Sequence, residues 1–487
     1  MKKLIGIFCL LGFVSFNNPP KDNKKWIADF EKLKTEMVNG YSNLKFAREK
    51  ERLNLKKLNE KTLLGLESAK SRGEAQSVIR EFLKSFNDGH LRARIYNVPG
   101  NTNIKTMSGS SALTNKDMAA TALIKMAYEK REPKFTIHYD SVPGYEMLST
   151  DENPFPSAII EEQNHRIGVL RIGFFGYWRY WDTASNLWEE FRKSFDGDCD
   201  RECEWSFTQK VENKLTQLLI QNILELKSRN IDALVVDVSG NGGGTEWYEA
   251  VARLFSADKL VDPPFYFTNH TIWQNVLTNQ LKLIDDDLNN TAIQVELRTS
   301  LRGHRKFIEG LLKNSIDHCE TNQVWLNNDL NCLKLAHHPY AYQLPRDIMD
   351  HPQFMELRSK YILQTHRFMP YTRGVYDTSD RLFIVQDHRS GSATEGFSSI
   401  LQSNGAAIIV GETSFGAGCG YTNGGFEVVL ENIGLAVKMP DCVRLRNDGK
   451  NEFMGINPDI PIHWSKDNSS FQKGNMVIES IWDYVRN

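Results

Sequence analysis

Three apolar, β-branched runs, each stopping abruptly in a loop of small and polar residues, set the strongest limit on how this chain folds. Residues 166–174 read RIGVLRIGF, residues 233–238 read ALVVDV, and residues 382–386 read LFIVQ. The second leads into Gly240, Asn241, Gly242, Gly243 and Gly244, and the third into Arg389, Ser390, Gly391 and Ser392. Such short runs, bounded by turn signals, read as strands. Segments with helical spacing lie between them, notably 212–228 and 246–255. Strand, loop, helix, strand is the order of an α/β (α+β) domain, and it covers 161–256 and 381–487.

The remainder of the chain is added to that domain. With 487 residues, two or three structural units are expected. Residues 18–94 form a helical N-terminal unit, whose apolar stripes Trp26, Phe30, Leu33, Met37 and Ala75, Val78, Ile79, Leu83 pack on neighbouring helices. A connecting region, 95–160, holds a Gly/Ser/Thr/Asn-rich loop and a helical stretch at 119–130. An aromatic and polar insertion at 257–380 carries Trp273, Trp325 and Tyr340. It reads equally as a lid over a site and as a disulfide-braced surface subdomain.

Lys2 and Lys3 precede an apolar run at 4–16, followed by Asn17, Asn18, Pro19 and Pro20. That is the pattern of a signal peptide over 1–17, and the run is too short to span a bilayer, which takes about 20 apolar residues. The chain is expected to be exported, to the periplasm or the extracellular space, with no membrane span once the signal is removed. Cys9 is a poor lipid-attachment site because bulky Ile7 and Phe8 precede it. Six further cysteines read as disulfides in an exported chain. Proximity suggests the pairs Cys199–Cys203, Cys319–Cys332 and Cys419–Cys442. No CxxC pair or HExxH helix supports a metal, and the adjacent His337 and His338 read as loop residues. A net charge of −2 gives no footprint for nucleic acid.

Chemistry is concentrated at three places. Ser392 opens a helix, where backbone N–H groups and the helix dipole stabilise a developing oxyanion. The local alternative is a plain N-cap at Ser390 or Ser392, with Glu395 completing a capping box. No GxSxG elbow is present. The glycine cluster lets backbone approach a substrate closely. Nucleotide binding is disfavoured, because GxxxxGK[ST] is absent and Thr245 breaks GxGxxG. His90, in Asp88-Gly89-His90, ends the helical unit and is a candidate general base.

Together these elements resemble the C-terminal processing (tail-specific) serine peptidase family, over about 26–462. RIGVLRIGFF resembles the family's strand before the catalytic domain. DVSGNGGG is similar to its D-x-R-x-N-x-G-G loop, with Ser239 in place of the arginine. GSATEGF resembles S-A-x-E, GETSFGAG resembles G-E-x-T-x-G-x-G, and GINPDIPI resembles G-x-x-P-D. The serine/lysine branch carries its base near Phe415-Gly416-Ala417-Gly418, where this chain has Ala417; its first lysine after Ser392 is Lys438. The chain instead resembles the tricorn-like, retinoid-binding-protein-like branch with a histidine base. Gly89 stands where the tricorn pattern has a serine.

The resemblance implies a ClpP/crotonase-like catalytic domain without a clear PDZ domain, acting on polypeptides with no cofactor. It implies Ser392 as nucleophile, His90 as base, Gly243 and Ala393 as oxyanion donors, and Glu452 orienting the imidazolium. His388 is the alternative base. Two rival functions stay open: a non-catalytic binder of apolar ligands or peptide tails on the same fold, and an esterase.

Overall fold

The computed structural model describes residues 21–96, 134–149, 153–194, 201–258, 260–268, 270–313, 319–337, 351–360, 374–376, 381–422 and 424–486. The apolar start with Cys9, the helical stretch at 119–130, Cys199, His338 and Tyr340 lie outside them.

Four helices lead the described chain: α1 (Lys21–Gly40), α2 (Leu44–Lys50), α3 (Leu55–Ser68) and α4 (Arg72–Lys84). Asn54 and Ser71 cap α3 and α4 by accepting from Lys57 and Glu74 N–H groups. The stripe from Trp26 to Met37 is buried. Strand β1 (Arg92–Ile95) follows the turn that carries His90.

The centre is a sheet built from β2 (Tyr145–Met147), β3 (Ser157–Glu162), β4 (His165–Arg171) and, after α5 (Trp181–Phe191) and α6 (Arg201–Ser228), β5 (Ala233–Asp237). Helix α7 (Trp247–Arg253) comes next. The insertion holds β6 (Phe265–Thr268), α8 (Thr271–Asn289), α9 (Val295–Lys313), α10 (Thr321–Asn327) and β7 (Leu335–His337). The chain then returns to the sheet through β8 (Arg381–Gln386), α11 (Ala393–Ser403) and β9 (Ile408–Gly411). Last come β10 (Phe426–Leu430), β11 (Leu435–Met439), β12 (Val443–Arg444), β13 (Ile460–Pro461) and α12 (Ser470–Val485).

The central order is β13-β9-β8-β5-β4-β3-β2. From β13 to β4 the neighbours are parallel, and β3 and β2 extend the sheet antiparallel. The parallel strands β4, β5, β8 and β9 are buried on both faces over most of their length. On β5, Leu234 and Val236 join the core with α6, α7 and α11, while Ala233 and Val235 join Ile478 and Trp482 of α12. The run at 166–174 splits, since only His165–Arg171 is strand. Its β3 partner carried no comparable signal.

Two small sheets flank this centre, ordered β1-β11-β10 and β12-β6-β7. The N-terminal helices share one core with β10, β11 and Trp325 of α10. The tryptophans of the insertion anchor it to the body. Trp273 Nε1 donates to Asp441 O at 3.1 Å and Trp325 Nε1 to Lys34 O at 3.1 Å. His337, read as a loop residue, ends strand β7 instead, stacked on Tyr266. Disulfides join Cys319 to Cys332 and Cys419 to Cys442.

Candidate active site

Loops leaving the carboxyl ends of β5, β8 and β9, adjacent in the sheet, converge on the turn after α4. Ligand sites of open α/β sheets form at that edge. The β5 loop is stapled by Asn241, which is fully buried. Its amide donates to Ile172 O at 3.0 Å, and its own carbonyl accepts from Gly391 N and Thr394 Oγ1. Beneath it Arg171 of β4 forms a buried 3.2 Å ion pair with Asp237. Ser239 is held by Thr136, 2.6 Å between hydroxyls.

Ser392 occupies the N-cap position of α11, at φ 58° and ψ −117°. That sparsely populated conformation costs about 1–3 kcal/mol in a non-glycine residue and persists only where its surroundings impose it. Here Glu395 Oε2 accepts from Ser392 N at 2.8 Å, and Arg444 donates to Ser392 O at 3.1 Å. The hydroxyl lies 3.1 Å from His90 Nε2, and Glu395 supplies the cap contact through the backbone. A Cβ at Gly243, where φ is +112°, would sit 2.7 Å from that of Ser392, so only glycine fits.

His90 reaches the site from a turn fixed at Asp88. That carboxylate accepts from His90 N at 2.8 Å and from Tyr41 OH at 2.9 Å. The ring's Nδ1 faces Ala417 O at 3.2 Å. A carbonyl can only accept, so the proton sits on Nδ1 and the Nε2 lone pair faces Ser392. Burial lowers the pKa of His90, and the Asp88 charge offsets part of the fall. The loop carrying Cys419 lies close: a Cβ at Gly420 would meet the imidazole at 2.7 Å.

Glu395 ties the Ser392 turn to the loop that faces His90. Besides Ser392 N, its buried carboxylate accepts from Ser414 Oγ at 2.6 Å and from Gly416, Ala417 and Gly418 N at 2.5, 2.9 and 2.7 Å. The residue whose carbonyl orients His90 is therefore held by the carboxylate that braces Ser392. Lys50 closes the same loop from α2 by donating to Gly416 O and Phe453 O at 3.1 and 2.8 Å.

Two expected contacts are formed differently. Glu452 makes no hydrogen bond to His90 among the described residues; its Oε2 accepts from the buried Arg444 at 2.5 Å, which also donates to Tyr248 OH at 2.6 Å. Of the expected oxyanion donors, Ala393 N makes no hydrogen bond among the described residues, whereas Gly243 N donates to Asn241 Oδ1 at 3.0 Å. His388 is exposed and paired with Glu412 at 2.7 Å, away from Ser392. Lys438 rests over the Tyr421 ring, its ammonium 4.1 Å from the centroid. Among the described residues no group of three or more His, Cys, Asp or Glu side chains is placed to hold a metal ion.

The model of peptidase family S41 matches residues 205–462, more than half of the chain. The chain belongs to peptidase family S41. It is thus a serine-type peptidase, a hydrolase. Among solved structures it is similar to mature CPAF, at 14% identity, with 96% of each chain covered and a TM-score of 0.54. CPAF complexed with lactacystin gives 14%, coverage of 96% and 97%, and 0.54; a CPAF point mutant gives 13%, 96% and 98%, and 0.58. At these identities the likeness is one of fold. No curated protein matches the sequence.

Proposed function

We propose that this S41 peptidase is exported and cleaves peptide bonds through an acyl-enzyme on Ser392, with His90 as general base. The observation that carries the reading is the 3.1 Å contact between His90 Nε2 and Ser392 Oγ, with Nδ1 committed to a carbonyl. Neutral His90 takes the hydroxyl proton as Oγ attacks the scissile carbonyl carbon. The proton then passes to the leaving amine, and water, deprotonated by His90, releases the acyl group. Ala393 N–H is the oxyanion donor ready for use, a contribution of about 3 kcal/mol in the transition state. Gly243 N–H becomes the second once its bond to Asn241 is exchanged for the substrate oxygen. Glu452 supports the nucleophile turn through Arg444, while Ala417 O orients the base.

Treatment of the folded enzyme with a fluorophosphonate probe tests this assignment. Wild type labels at Ser392, Ser392→Ala does not, and His90→Ala labels slowly. A folded wild type that stays unlabelled overturns it. Mapping the new termini in a cleaved proteome separates a peptidase from an esterase. Export is supported by the disulfides Cys319–Cys332 and Cys419–Cys442, which suit an oxidising compartment. No helix among the described residues is long and apolar enough to cross a membrane. Cell fractionation with N-terminal sequencing tests export.

A further inference from the structure

The face that β1, β11 and β10 present beside the catalytic turn carries charge the protein leaves unbalanced. Arg92 of β1 lies directly opposite Lys438 of β11, and Glu427 of β10 lies opposite Lys438 on its other side. Directly opposed residues, and those two apart on one strand, project to the same face. Arg92, Arg94, Lys438 and Glu427 therefore share one side, while Val428, Leu435 and Val437 enter the core on the other. Glu427 is committed to Arg94, with a bidentate pair at 2.8 and 3.0 Å. Arg92 and Lys438 remain as opposed like charges, an arrangement that destabilises a sheet.

Their side chains are turned toward the reaction centre. Arg92 Nε donates to Gly89 O, which directs the guanidinium to the turn bearing His90; its Nη groups meet no acceptor among the described residues. The Lys438 ammonium lies on the Tyr421 ring, forming neither ion pair nor hydrogen bond among the described residues. That ring stands edge-on to His90 with centroids 5.4 Å apart, and its hydroxyl donates to His90 O. One tyrosine thus separates the ammonium from the imidazole. The Arg92 charge also reaches His90, where it lowers the proton affinity. Arg389, the other exposed arginine of these loops, is neutralised by Asp387.

We infer that Arg92 and Lys438 form an anion subsite that receives a carboxylate of the polypeptide beside its scissile bond. The inference rests on the peptidase reading above. A carboxylate there gains charge-assisted hydrogen bonds and relieves the repulsion between the two cations. Its source is an Asp or Glu side chain of the substrate.

The test uses the full-length enzyme and matched quenched-fluorescence peptides. A single glutamate is scanned through the sequence against glutamine, and each peptide is made with a free and an amidated C-terminus. We expect kcat/KM to favour the carboxylate form by about tenfold at low salt, consistent with a partly exposed charge pair. The preference falls toward unity in the Arg92→Gln/Lys438→Gln double variant and as salt rises. Arg92→Glu/Lys438→Glu reverses it toward peptides with lysine at that position. A preference at an internal position supports the subsite; one that follows only amidation of the C-terminus overturns it. Wild type without preference at any position or end, or a double variant that keeps the preference, overturns the inference while leaving the peptidase intact. Protection of Ser392 from the fluorophosphonate by the same peptides reads the preference where turnover is slow. Absence of both labelling and cleavage removes the peptidase reading and the subsite with it. Thermal melting supplies a second readout, since Arg92→Gln relieves the repulsion and raises Tm.

Discussion

Burial lowers the proton affinity of His90, and the Asp88 carboxylate, 4.0 Å from Nδ1, recovers part of it. In the proposed mechanism the neutral imidazole is the active form, so activity rises with pH as the proton leaves. A lowered pKa moves that rise below the ordinary histidine value of about 6.5. The acid limb of a kcat/KM profile should lie there, and Asp88→Asn should move it further to acid. Glu395 makes a separate case. Its carboxylate gathers five donors from residues 392, 414, 416, 417 and 418. Glu395→Gln replaces one acceptor oxygen with a donor and faces those N–H groups with an amide. It should lower kcat by about a hundredfold with a smaller change in KM, consistent with lost preorganisation. Steady-state kinetics on a variant with native circular dichroism checks this. Ser392 and His90 were legible because residue type, setting and family pattern agreed. The five-donor role of Glu395 was not, since only a capping box is visible within the 392–395 segment.

At the scale of elements, the site depends on loops that brace one another. Arg444 of β12 joins Glu452, Tyr248 of α7 and the Ser392 carbonyl. Removing one partner of a buried ion pair costs about 3–5 kcal/mol, because the other charge stays buried alone. Glu452→Ala should therefore unfold at markedly lower urea. Arg444→Met/Glu452→Met should recover most of the stability but not the activity, since Ser392 loses a donor. Gly243→Ala places a methyl group against Ser392 and strains a positive φ, so kcat should drop by about a hundredfold or more. These contacts left no local trace in the sequence. Arg444 and Tyr248 lie on separate elements, and the orientation of Gly243 N–H depends on the Asn241 side chain. Glu452 was placed on the histidine by family pattern alone, and the arginine that claims it carries no motif.

Across the whole molecule, the apolar runs announced the parallel centre because a strand buried on both faces needs little except its own composition. The antiparallel margin was harder to read, since β2 has only three residues and the apolar run of β3, at Ala158, Ile159 and Ile160, gives way to two glutamates. The 257–380 insertion reads from sequence only as aromatic and polar, yet α8 and α9 pack into a core of their own. The disulfides Cys319–Cys332 and Cys419–Cys442 help to fasten this architecture. That between Cys419 and Cys442 closes a 23-residue separation around the loop that touches His90. Its removal by Cys419→Ser/Cys442→Ser should cost about 3 kcal/mol and lower kcat, as melting and kinetics on oxidised and reduced enzyme will show. The separation of 302 residues between His90 and Ser392 carries a further consequence. Under the proposed mechanism, synthesis presents the proton acceptor long before the nucleophile exists. A ribosome-bound chain would then have no hydrolytic power, and neighbouring nascent proteins would be spared until the last strands have docked.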